Sequence, residues 1–97
     1  MIKRIVKLTL REEAIAEFLT IFEESKTKIK ASEGCLHLEL LRGAKHTNIL
    51  FTYSFWENEA ALDAYRRSGL FKETWKKTKA LFAERAEAWS VEVVSEV

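Results

Sequence analysis

The sequence predicts an α+β fold of the ferredoxin-like, split βαβ kind, with one four-stranded antiparallel sheet and its helices on one face. Three observations predict it. Apolar spacing switches between a period of two and a helical period in the order strand, helix, strand, strand, helix pair, strand. Right-handed crossovers fold that order into a single sheet. The third strand, Asn48 to Trp56, carries no charge on either side. Finally, 97 residues build one core and not two, so residues 1–97 are read as a single domain.

The first strand runs from Ile2 to Leu10. Ile2, Val6, Leu8 and Leu10 share one face, interrupted by Arg4, and Lys3, Ile5, Lys7 and Thr9 share the other. Thr9 and Glu12 have capping-box spacing, which places a helix from about Glu12 to Ala31. Its apolar positions Ile15, Phe18, Leu19, Phe22 and Ile29 recur at helical spacing, and acids early with lysines late suit the helix dipole. Gly34 ends it, because glycine takes the left-handed conformation of a helix exit without penalty.

Cys35 to Arg42 is the second strand, with Cys35, His37, Glu39 and Leu41 on one face and Leu36, Leu38 and Leu40 on the other. Gly43 to Thr47 turns the chain into the third strand as a hairpin. There Ile49, Phe51, Tyr53 and Phe55 face one way while Leu50, Thr52, Ser54 and Trp56 face the other. Asn58 caps a short helix, about Glu59 to Arg67, and Ser68-Gly69 breaks it. A longer helix follows, about Leu70 to Arg85, with a stripe of Phe71, Trp75, Thr78, Phe82 and Ala86. Trp89 to Val94 alternates as the fourth strand.

Composition excludes several functions. A net charge of +1 lacks the basic excess that phosphate-tracking proteins depend on, so no nucleic-acid partner is expected. Three cations break the apolar start Met1 to Lys7, which fits neither a signal peptide nor a membrane span. With a single cysteine, Cys35, no internal disulfide is possible, and the chain reads as cytoplasmic without a membrane partner. A sheet whose central strand is apolar on both faces needs cover on the second face, and a second copy is the cheapest cover.

Gly34-Cys35-Leu36 at a strand start, Tyr53-Ser54-Phe55-Trp56 at a strand end, then Glu59-Ala60-Ala61-Leu62, Tyr65, Ser68 and Phe71 resemble the antibiotic biosynthesis monooxygenase family over nearly the whole chain. The resemblance implies a dimeric α+β barrel, a homodimer with sheets face to face and a pocket in each subunit between sheet and helices. It also implies a monooxygenase that oxidises a small electron-rich aromatic, a quinol or polyphenol, with molecular oxygen and no cofactor. A non-catalytic homodimer that binds a small molecule in the same pocket is the alternative. The family's haem-degrading branch carries a helix histidine, a tryptophan ten residues before it and a first-strand asparagine. The aligned positions here are Trp75 and Tyr65, and the first strand has no asparagine. Without the imidazole, axial iron ligation lacks its donor, and haem degradation is disfavoured.

Oxygenation without a cofactor needs a base, an apolar cage and donors for a developing oxyanion. His37 is the candidate base, its ordinary range suiting proton abstraction near neutrality; as structure, it is a strand histidine bonded to a neighbour. Tyr53 and Tyr65 are candidate donors to a phenolate or peroxide oxygen, with Tyr65 also a candidate to handle the proton. Trp56 and Trp75 stack a ring, with Phe71 and Phe82 completing the substrate wall; Trp56 reads equally as core, while Phe71, Trp75 and Phe82 read first as a core stripe. His46 sits in the hairpin turn and reads as solvated. Cys35, His37 and Glu39 alternate as metal ligands do, but spacing alone does not supply the geometry, so no metal is expected.

Overall fold

The computed structural model describes residues 1–97. Strands β1 (Ile2–Thr9), β2 (Cys35–Arg42), β3 (Ile49–Trp56) and β4 (Glu87–Val91) form one sheet in the order β2-β3-β1-β4, every neighbouring pair antiparallel. Helix α1 (Ile15–Lys30) links β1 to β2, and α2 (Glu59–Arg66) and α3 (Gly69–Lys79) link β3 to β4. This is the expected four-stranded ferredoxin-like architecture with its helices on one face.

The register sorts every strand residue onto one of two faces, because cross-strand partners project the same way. Trp56 with Ile2, Ser54 with Arg4, Thr52 with Val6 and Leu50 with Leu8 face the helices. The opposite face is laid out in three rows: His37, Phe55, Lys3, Val91; then Glu39, Tyr53, Ile5, Trp89; then Leu41, Phe51, Lys7, Glu87. Trp89 is 45% exposed, Leu41 42% and Val91 38%. No helix of the chain covers this side, so the sheet's second apolar face is open.

On the helix side the core divides in two. One cluster joins Leu8, Leu10, Ala14, Phe18, Leu50 and Leu81, and the other joins Cys35, Trp56 and Leu62. Burying a leucine such as Leu10 completely contributes about 2 kcal/mol from removed apolar surface. The clusters lie at opposite ends of the sheet, and the space between them is not filled.

Four local features depart from the sequence expectations, each for a physical reason. The Thr9–Glu12 capping box does not form: the strand continues past Thr9, whose carbonyl accepts from Ala83 N at 2.8 Å, and helical structure begins as a 3-10 turn, Glu12–Ala14, without a side-chain cap. The last helix stops at Lys79 and not at Arg85, because the chain beyond it returns to the sheet edge, Leu10 bridging Phe82 and Arg11 N donating to Leu81 O. Phe82 is therefore not a helix residue. The fourth strand begins two residues early, at Glu87, and ends at Val91. Lastly, the β2–β3 register slips between Cys35 and His37. That bulge turns Cys35 into the helix-side core beside Trp56 while His37 stays on the open face, so Cys35, His37 and Glu39 do not share a face.

Candidate functional site

Between the two core clusters lies a cavity of about 290 Å³. Its floor is the helix-side face of the sheet from Trp56 to Leu8, and its roof is α1 with α2 and α3. Capping fixes the roof. Asn58 Oδ1 accepts from Ala61 N at 2.9 Å to start α2, and Ser68 Oγ accepts from Phe71 N at 3.1 Å to start α3. These caps set where Leu62, Tyr65, Phe71 and Trp75 project.

The aromatic wall is continuous. Trp56 stacks on Tyr65 with ring centroids 4.9 Å apart, Tyr65 meets Phe71 edge-on at 5.3 Å, and Phe71 stacks on Trp75 at 5.9 Å. Trp56 is locked from beneath, its Nε1 donating to Ser54 Oγ at 2.9 Å. Burial first, and the neighbouring Cys35 second, push the Tyr65 phenol from its ordinary value of 10.0 up to about 12. At neutral pH Tyr65 is thus a proton-bearing donor, and no side chain or backbone group of the protein accepts from it.

The two ends of the cavity differ in polarity. Leu8, Phe18, Ile21 and Phe22 close one end; Arg4, Ser54 and Arg66 line the other. Burial chiefly, and then Arg66, hold the Arg4 guanidinium below its usual value, while Asp63 acts the other way. No imidazole, carboxylate, amine or thiol lines the space.

The sequence profile of the antibiotic biosynthesis monooxygenase family matches residues 1–77. The chain belongs to that family. Solved structures agree on the fold. A conserved protein from Methanosarcina mazei is 22% identical, with a TM-score of 0.89 over 93% of this chain and 89% of that one. A crystal structure named as an antibiotic biosynthesis monooxygenase is 22% identical, with a TM-score of 0.91 over 98% of this chain and all of that one. SnoaB, a cofactor-independent oxygenase from Streptomyces nogalater, is 18% identical, with a TM-score of 0.87 over 99% of this chain and 95% of that one. No curated protein matches the sequence significantly.

The residues that carry the family resemblance have structural duties that explain their order. Gly34 takes φ 82°, and a Cβ there would lie 2.5 Å from the Ala61 Cβ, so the Gly-Cys strand start and the Ala-Leu of α2 are packed on each other. Ser68 caps α3 for Phe71. Trp56 and Tyr65 are the stacked pair of the cavity wall.

The sequence-derived candidates fall into two groups on opposite faces of the sheet. Tyr65, Trp56, Trp75 and Phe71 line the cavity together. His37 and Tyr53 lie on the open face, where His37 Nε2 is 3.3 Å from Glu39 Oε1 and its ring is 4.7 Å from Phe55. An acid-base group made of His37, Tyr53 and Tyr65 is not assembled within the chain, because Tyr65 stands on α2 over the helix-covered face of the sheet while His37 and Tyr53 project from the other face. Phe82 is also outside the lining: it packs edge-on behind Trp75 at 5.6 Å. His46 is exposed in the hairpin turn. Sequence reasoning missed Arg4, Ser54 and Arg66 as site residues. Arg4 left a signal, as the one charge interrupting the core face of β1.

Proposed function

We propose that the cavity binds a small electron-rich aromatic and that the protein oxidises it with molecular oxygen, without a cofactor. The observation carrying this reading is the aromatic wall of Trp56, Phe71 and Trp75 with the unpartnered, protonated Tyr65 hydroxyl beside it. A phenol with a ring C–H para to its hydroxyl balances without added reductant. Its phenolate passes one electron to O2, the radicals join in a carbon–oxygen bond, and the peroxide loses water to leave a quinone. One oxygen atom enters the product and the other enters water. Tyr65 donates to the peroxide oxygen, and Trp56 with Trp75 holds the ring in an apolar setting where that donation is strong.

The same proposal includes a homodimer closed over the open sheet face, with His37 and Tyr53 serving that interface and not the chemistry. The 97 residues act as one domain, and the single buried thiol suits a reducing, cytoplasmic setting. One observation favours the alternative of a non-catalytic binding protein: no side chain in the lining accepts a proton near neutral pH. Oxygen-electrode assays with a panel of quinols, phenols and anthrones decide between them. Turnover that consumes one O2 per quinone, releases no hydrogen peroxide and carries one atom of labelled O2 into the product supports oxygenation; saturable quenching of tryptophan fluorescence without oxygen uptake makes the protein a binder.

A further inference from the structure

A pocket without a base has to obtain an ionised ligand by another route. Arg4 and Arg66 both line one end of the cavity, and neither makes an ion pair. Arg4 spends one donor, from Nη1 to Ser90 Oγ at 3.0 Å, of the five a guanidinium carries. Ser54 stands beside it on the neighbouring strand, and because its Oγ accepts from Trp56, its own proton is free to donate. Two cations and a hydroxyl therefore converge on a space that contains no negative group. Four residues further along β1, roughly 13 Å away, Leu8 lies at the apolar end.

We propose that this cavity takes its ligand as an anion, an aromatic carboxylate or an already ionised phenol or enol, with Arg4 and Arg66 as counter-charge and the ring system lying toward Leu8 and Phe18. This deepens the proposed function by naming the charge state of the ligand. An acidic substrate ionises in water and is then selected by charge, so the protein needs no base of its own. The partial burial of Arg4 strengthens the attraction, since a guanidinium drawn part-way out of bulk water is less screened. The mutual effect of Arg66 on Arg4 points the same way, because an anion between like charges relieves their repulsion. Asp63 is close enough to act on Arg4, but it does not reach ion-pair distance and does not line the space.

Isothermal titration calorimetry with 2-naphthoate and 2-naphthamide tests this, since the two probes share a body and differ in charge. The naphthoate is expected to bind roughly tenfold or more tightly than the amide, and to weaken with added salt while the amide does not. Arg4→Gln should bring the two affinities within about threefold, Arg66→Gln should reduce the ratio by less because it lies at the exposed mouth, and Arg67→Gln, outside the lining, should leave it unchanged. If Arg4→Gln does not fold, Arg66→Gln and the salt series still decide. Equal binding of both probes, a preference that survives both variants, or no binding by either overturns the inference. Equal binding leaves the aromatic-cavity reading standing, and so do quinol turnover and neutral-ligand binding; only the charge selection then fails.

Discussion

The indole Nε1 of Trp56 donates to the hydroxyl of Ser54, two residues earlier on the same strand face, at 2.9 Å, and both side chains are buried, Trp56 to 1% and Ser54 to 6% exposure. That bond fixes the wall of the cavity to its floor. Ser54→Ala removes the acceptor and leaves a buried N–H without a partner, at a cost of about 1–3 kcal/mol in urea unfolding. The same substitution made in a Trp56→Phe background should cost less, because no donor remains to be orphaned. Equal costs in both backgrounds would show that the hydroxyl stabilises by some other route.

Gly34 and Ala61 form the second fixed point. With φ 82° and the Ala61 Cβ 2.5 Å from where a methyl group would stand, Gly34→Ala combines backbone strain with a clash. The strain alone should cost about 1–2 kcal/mol, with the clash in addition. Ala61→Gly removes the clash but not the strain. The double variant should therefore be less unstable than the sum of the singles, and strict additivity would rule out the contact.

Tyr65 supplies a pH signature. Its folded value of about 12 lies above its ordinary 10.0, so between those values the native state keeps a proton that the unfolded chain has lost. The stability gained by burying the neutral phenol is complete below the ordinary value and disappears as pH rises through about 12, a loss of about 2–3 kcal/mol when complete. Cys35, whose thiol burial also pushes upward, adds to the fall with the same sign. In a Tyr53→Phe variant Tyr65 is the one tyrosine left, and its phenolate absorbance should appear only as the fold is lost or toward pH of about 12. Ionisation near the ordinary value with the fold intact would mean that the hydroxyl is not shielded.

Much of this was legible in the sequence because periodicity and caps act locally. The order of elements, the Asn58 cap, the helix break at Ser68-Gly69, the left-handed Gly34 and the two-faced third strand all rest on residues close together in sequence. What was not legible rests on long-range contacts. Thr9 has the chemistry of a cap, but pairing with the chain around Phe82 claims the backbone first. Phe82 continues the helical stripe in sequence, yet the return of the chain to Leu10 ends the helix before it. One extra residue near Leu36 moves Cys35 to the other side of the sheet from His37, which no composition or spacing announces. Placing His37, Tyr53 and Tyr65 in one site required knowing which sheet face the helices cover, and that follows from Leu8, Leu50 and Trp56 being buried together, a tertiary fact.

The open face makes the last prediction. Ile5, Phe51, Tyr53 and Phe55 occupy its centre, Trp89 and Val91 its β4 edge, and the charges among them are few: Lys3 lies 4.6 Å from the centre of the Phe55 ring, Lys7 pairs with Glu87 at 3.5 Å, and Glu39 Oε1 lies 3.3 Å from His37 Nε2. Lys3 over an aromatic ring and Lys7 beside a carboxylate already have partners within the face, which lowers what it costs a second subunit to cover them. Trp89→Glu places a carboxylate in the middle row with nothing cationic opposite, since its partners in that row are Ile5, Tyr53 and Glu39. Sedimentation velocity should find a dimer for the native chain and a monomer for Trp89→Glu, with circular dichroism unchanged because Trp89 is 45% exposed in the lone subunit. Ala16→Glu, on the solvent side of α1, should remain dimeric. A native chain that sediments as a monomer at micromolar concentration would remove the interface, and with it the role given to His37 and Tyr53, while leaving the helix-side cavity untouched.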